Sequence, residues 1–234
     1  MSGPTRIYYT ISSPAAPMKF HTSRREIRHI LLAYAVLTLD LAIILNGDGV
    51  LSLSVTSAAY TFSLSVVLIA AVAALTGFLA HEMAHKYYAQ RHGFWAEFRM
   101  SPFGLVISLI TAFAGFLFAA PGATIVQGMV DRRAWGWTAL SGPLANLVFG
   151  FAFIGGTFAA AFGGVSLFWI GGLALLAFFN AWFAAFNLIP FGPLDGAKVW
   201  HWSPPIWIGS FAVSALLAIL AFGITNYGWF LPVR

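Results

Sequence analysis

The chain has 234 residues, of which 60% are hydrophobic and only 8% charged, with a formal net charge of +5 and no cysteine. Soluble domains carry about 25% charged residues, so a water-soluble globule is excluded and a lipid bilayer is the expected surrounding. The missing cysteines exclude disulfides and thiolate metal sites, and no basic run interleaved with aromatics supports a nucleic-acid partner.

Residues 1–28 form a polar, basic N-terminal segment with Arg6, Lys19, Arg24, Arg25 and Arg28, expected in the cytoplasm. An apolar run over 29–46 follows. That order resembles a signal peptide, but the polar stretch is long and no small-residue cleavage site follows, so a retained first span is expected. Further apolar runs fall at 63–85, 103–120, 139–161, 166–188 and 205–223, each near the ~20 residues a helix needs to cross hydrocarbon. The expected fold is an all-α polytopic membrane protein of five or six transmembrane helices. It forms one domain over 29–234, multi-pass in the cell membrane.

Basic residues mark the loops unevenly. The 47–62 connection has none and carries Asp48, whereas Lys86, Arg91 and Arg99, then Arg132 and Arg133, flank the third run. The positive-inside rule places both basic stretches in the cytoplasm. A complete crossing over 103–120 would separate them, so this run is expected to be broken or re-entrant; an ordinary sixth span is the alternative. Gly104, Gly115 and Pro121-Gly122 fit a broken segment, which protein or a wet cavity must cover. Just before it, residues 94–100 alternate apolar and polar and predict a strand, a small membrane-associated β element. Trp135, Trp137, Trp200, Trp202 and Trp229 are expected as headgroup anchors. Gly155-Gly156 and Gly171-Gly172 are expected at close helix contacts.

His81-Glu82-Met83-Ala84-His85 ends the second apolar run. A charge at mid-membrane costs roughly 2.5–3.5 kcal/mol on insertion scales, so two imidazoles and a carboxylate there imply a bound partner. Residues four apart share a helix face, which lets His81 and His85 hold one metal ion with Glu82 beside them as proton acceptor. This is the H-E-x-x-H arrangement of zinc hydrolases. A catalytic zinc takes three protein ligands, and acids are scarce: Asp40, Glu97 and Asp195 are the candidates. Asp195 stands out because Pro190, Gly192, Pro193 and Gly196 break the helix around it. Two crossings, 139–161 and 166–188, also return Asp195 to the end of the membrane where His85 lies.

These residues, with Asn187-Leu188-Ile189-Pro190-Phe191-Gly192-Pro193-Leu194-Asp195-Gly196, resemble the site-2 protease family of intramembrane zinc metalloproteases. Ser101-Pro102-Phe103-Gly104 and Ser141-Gly142-Pro143-Leu144-Ala145-Asn146 resemble two further stretches of that family, so the likeness covers roughly 63–200. Ala84 and Ala197 stand where the family often has glycine, and no PDZ-like insertion fits between the motifs. The resemblance implies Zn²⁺ on His81, His85 and Asp195, with Glu82 as the base. It also implies that Asn187 holds the substrate or its oxyanion; capping of backbone freed around Pro190 is the other reading. Asn146 is read as a packing or hydrogen-bonding residue, and His92 and His201 as wetted surface. The implied partner is a transmembrane protein or peptide, cut by regulated intramembrane proteolysis on the cytoplasmic side. The strand at 94–100 would hold it extended. A transporter or ion-binding protein using the same His/Asp cluster is the rival reading.

Overall fold

The computed structural model describes residues 19–46, 63–118, 120–128, 131–228 and 231. Most of the N-terminal segment, the 47–62 connection with Asp48, and Trp229 lie outside them. The elements run α1 (Arg24–Asn46), α2 (Leu64–Ala73), a π-helical turn (Ala74–Leu79), α3 (Ala80–Arg91), β1 (Trp95–Met100), α4 (Pro102–Phe113), β2 (Gly122–Gln127), α5 (Arg132–Phe162), α6 (Leu167–Asn187), α7 (Asp195–Trp202) and α8 (Pro204–Tyr227).

Five helical stretches are long and apolar enough to cross a membrane: α1, the continuous stretch Leu64–Arg91, α5, α6 and α8. Both their faces are apolar, as expected of helices solvated by lipid on one side and protein on the other. Leu31, Leu68, Val148, Phe151, Leu216 and Ile219 point outward. Inward, α6 packs between α5 and α8 through Ala174, Ala177, Ala181 and Ala184, which fall on one helical face and are almost wholly buried. Small side chains let helix backbones approach closely, which is how helices pack where lipid removes the hydrophobic drive. A second core joins Ala33, Leu37 and Leu41 of α1 to Ile69, Ala70 and Ala73 of α2.

The third apolar run does not cross. Pro102 starts α4 at a position where its missing N–H is harmless, and Ser101 Oγ caps it by accepting from Gly104 N–H at 3.1 Å. The helix ends at Phe113, about 18 Å long at 1.5 Å per residue, against ~30 Å of hydrocarbon. The chain then comes back to its starting point. Ser101 N–H donates to Pro121 O at 2.9 Å, and β2 pairs antiparallel with β1 from Met100↔Gly122 to Trp95↔Gln127. A β-carbon on Gly104 would collide with the Ala120 carbonyl, so this return passes directly over α4. β1 forms where the alternation predicted it; β2 was not expected.

Buried polar side chains tie this hairpin to the helices. Glu26 of α1 accepts from Lys86 Nζ of α3 at 2.6 Å through Oε2, and from Phe98 N–H of β1 at 2.9 Å through Oε1. Both charged side chains are fully buried. Gln90 Nε2 donates to Ala96 O at 2.9 Å and to His21 O at 3.0 Å, while its Oε1 accepts from His21 N–H. One edge of β1 is therefore bonded to β2 and the other is covered by Glu26, Gln90 and His29. The expectation that the 94–100 strand offers an open edge is corrected: the open edge belongs to β2.

Two other expectations are refined. Trp137 and Trp202, both half-buried, pack on each other with centroids 5.1 Å apart, and Trp202 lies against Gly136, so they also join α5 to α7. Of the four glycines expected at close contacts, Gly172 alone is tightly packed, since a β-carbon there would lie 2.9 Å from Ile69 Cδ1; β-carbons on Gly155 and Gly171 would meet nothing within 4 Å.

Candidate metal centre

The π-helical turn sets the stage for the two histidines. Its wide i→i+5 bonding is typical of single-turn insertions at functional sites. Here the carbonyls of Thr76 and Gly77 also accept from a neighbouring helix: Asn146 Nδ2 donates to Gly77 O at 2.8 Å and to Thr76 O at 3.4 Å. Asn180 of α6 closes the network, accepting from Asn146 Nδ2 and donating to Thr76 Oγ1 and Leu176 O. These amides are fully buried and fully bonded, as burial of polar groups in an apolar bundle demands.

Asn146 then orients the first imidazole. With its Nδ2 committed to carbonyls, its Oδ1 faces His81 Nδ1 at 2.6 Å, so that ring nitrogen must be the donor. His85 Nδ1 likewise donates to Thr138 O at 2.6 Å. Pro143, inside α5, has no N–H for the helix ladder, and the turn before it presents the Thr138 carbonyl to His85 and to Ser141 Oγ. Both rings are thereby fixed with Nδ1 protonated and the Nε2 lone pair free, the arrangement that carboxylate or carbonyl partners impose on metal-ligating histidines. Gly142 makes room for them. A β-carbon there would lie 2.6 Å from His85 Cε1 and 2.7 Å from His81 Cε1.

Asp195 completes the cluster from the start of α7. Its Oδ2 lies 3.2 Å from His81 Nε2 and 3.0 Å from His85 Nε2, and the two Nε2 atoms are 3.0 Å apart. The three side chains are buried and offer one ligand atom each, all within 4.8 Å of one another. Tetrahedral zinc with bonds of ~2.0–2.1 Å places neighbouring ligand atoms about 3.3 Å apart. The cluster matches that spacing to within a few tenths of an ångström. Two lone pairs and a carboxylate converging this closely call for a cation between them, and nitrogen and oxygen donors suit zinc. Lys198 Nζ donates to the other Asp195 oxygen, Oδ1, at 3.1 Å.

Around the cluster lies a cavity of about 920 Å³ whose wall includes Glu82, Thr124, Phe183, Phe186 and Asn187. Glu82 is held by β2: its Oε2 accepts from Thr124 N–H and from Thr124 Oγ1, each at 2.8 Å. Asn187 reaches the cavity wall, where one N–H of its Nδ2 donates to Phe183 O at 2.9 Å. Asp40 is buried in α1 and Glu97 pairs with Arg99, so neither joins the ligands. His92 and His201 are exposed. Sequence reasoning did not single out Thr124, Lys198, Thr138 or Gly142. Asn146 it read as a hydrogen-bonding residue, without seeing that the bond goes to His81.

The chain is 37% identical over 150 residues to a Methanocaldococcus jannaschii protein named "Putative zinc metalloprotease MJ0611", an alignment covering 62% of this chain and 76% of that protein. No protein-family model matches the chain, and no solved structure matches it.

Proposed function

The chain belongs to the zinc metalloprotease family of that archaeal relative, and from that membership we propose that it is an intramembrane endopeptidase of the site-2 type, cutting transmembrane segments of other proteins. The carrying observation is the convergence of His81 Nε2, His85 Nε2 and Asp195 Oδ2 inside a bundle of apolar helices, with Glu82 on the same cavity wall. Those three residues would hold Zn²⁺. Once bound, the ion polarises the scissile carbonyl and activates water for attack.

The protein's own groups do the rest. Glu82 takes the proton of the attacking water and delivers it to the leaving amine. Asn146 and the Thr138 carbonyl keep both imidazoles in one tautomer. Phe183 and Phe186 give the cavity an apolar wall suited to membrane-segment side chains. Peptide bonds in a helix are shielded by their own hydrogen bonds, so the substrate must unwind, and an extended segment can add to the open edge of β2. Asn187 would turn its amide toward the substrate carbonyl on leaving Phe183 O, worth ~2.7–4 kcal/mol of transition-state stabilisation if it serves as an oxyanion donor.

The proposed membrane domain, expected over 29–234, also takes in the first turn of α1 from Arg24, and its proposed catalytic core is about 63–200. The basic residues Arg91, Arg132 and Arg133 support a site on the cytoplasmic side of the cell membrane. The test is metal analysis of purified protein together with cleavage of a membrane-spanning model peptide in liposomes. Zinc should be present at one ion per chain, chelation should abolish cleavage, and Glu82→Gln should keep zinc yet fail to cut. A Glu82→Gln protein that cuts at the wild-type rate would overturn the reading.

A further inference from the structure

In an antiparallel pair, successive residues alternate between facing the partner strand and facing away. Phe98 N–H points to Glu26 and Met100 N–H to His29, while Ala96 O points to Gln90. The even-numbered residues of β1 therefore face away from β2. By the register, so do their partners on β2, Gly122, Thr124 and Val126. These three carry the open edge, and Thr124 is the middle one. Among the described residues it is also the one whose outward N–H is already taken, by Glu82 Oε2.

Thr124 holds Glu82 through its backbone N–H and its single hydroxyl proton. Besides the backbone bond, its Oγ1 donates toward Oε2 at 2.8 Å and lies 3.0 Å from the Glu82 backbone carbonyl. Two donors on one carboxylate oxygen fix where the Glu82 side chain points. A strand docking on β2 needs the same central N–H for its own carbonyl.

Resting on the protease reading above, we infer that Thr124 is a positioning residue that couples substrate docking to the base. An extended substrate carbonyl takes the Thr124 N–H, and Glu82 Oε2 loses that donor. It keeps the Oγ1 bond, which holds the carboxylate toward the cavity. In an empty site the amide and the hydroxyl of Thr124 pin the carboxylate against β2; in an occupied site the hydroxyl alone aims it. Because the exchange uses a backbone group, it recognises an extended main chain of any sequence and rejects a helix, whose carbonyls are already bonded.

The test compares Thr124→Val and Thr124→Ser with the wild-type protein on the membrane-spanning peptide. Thr124→Val removes Oγ1 in nearly the same shape and leaves the N–H. It should lower kcat by about 10- to 100-fold, the range of one hydrogen bond to a charged group, with KM and zinc content within twofold. Thr124→Ser should restore kcat to within about threefold, since it regains the hydroxyl. In the wild type, replacing single backbone amides of the peptide by esters should find one position where the weakened carbonyl lowers cleavage at least tenfold. The inference is overturned if Thr124→Val keeps wild-type kcat, if valine and serine variants are equally impaired, if zinc is lost with Thr124→Val, or if no ester position matters. Failure of the protease reading would look different: the wild type would not cut, or Glu82→Gln would cut as well as it does.

Discussion

The metal centre and the β1–β2 hairpin lie against each other but are built on opposite principles. At the centre, helices α3, α5, α6 and α7 spend their polar atoms on one another: His81 on Asn146, His85 on Thr138, Asn146 on the π-turn carbonyls, Asn180 on Thr76. Each of these side chains is held in place by its neighbours. The hairpin is buried and tied on its β1 side and open along β2, where Ala123 and Ile125 are exposed. A fixed cage suits one ion with one geometry, whereas an open backbone edge accepts chains of differing sequence.

The contrast predicts where substitutions act. The largest effect is expected at Asp195→Ala, which leaves two imidazoles too few to hold zinc. Metal should be lost on dialysis, and cleavage should fall to background. Next comes Lys86→Met. It leaves Glu26 buried without its cation, at about 3–5 kcal/mol, and should lower the detergent melting temperature markedly; pairing it with Glu26→Gln, which is uncharged yet keeps an acceptor for Phe98 N–H, should recover part of that loss. Asn146→Ala should weaken zinc or activity by about 10- to 100-fold, the usual effect of removing a residue that orients a ligand. Titration with a competing chelator would measure it. Smallest is Lys198→Ala. That side chain is about one-third exposed, and a pair so exposed is worth at most about 1 kcal/mol, so zinc affinity should change less than about fivefold. A Lys198 effect larger than that of Asn146 would reverse the assignment of rigid cage and adaptable rim.

Much of this was readable in the sequence, for definite reasons. The histidine pair is local, four residues apart on one helix, and acids are so scarce in the apolar chain that Asp195 had few competitors. The return of 103–120 followed from charge parity. What escaped depends on tertiary register. Gly122–Gln127 contains Thr124, Ile125 and Val126, whose β-branching favours a strand, but six residues gave too short a pattern beside a segment read as broken. Thr124 acquires its role only because pairing turns its N–H away from β1. The contact of Trp137 with Trp202 escaped because indole position along a span says nothing about which neighbour it meets. The π-turn left no trace, since Ala74–Leu79 differs little in composition from the helix around it.

That turn has a further meaning. A π-turn accommodates one residue more than the α-helical path would, and each residue added to an α-helix rotates the downstream chain by about 100°. Everything beyond Leu79, including both imidazoles, is thus dialled round by one extra residue upstream. Forcing the same residues into a regular α-helix would swing His81 and His85 away from Asp195, whereas deleting one amino acid from Ala74–Leu79 would take up the wide turn and leave the downstream register in place. The meeting of both imidazoles with Asp195 thus depends on an offset of one position within a turn that also gives Thr76 and Gly77 to the buried amide network.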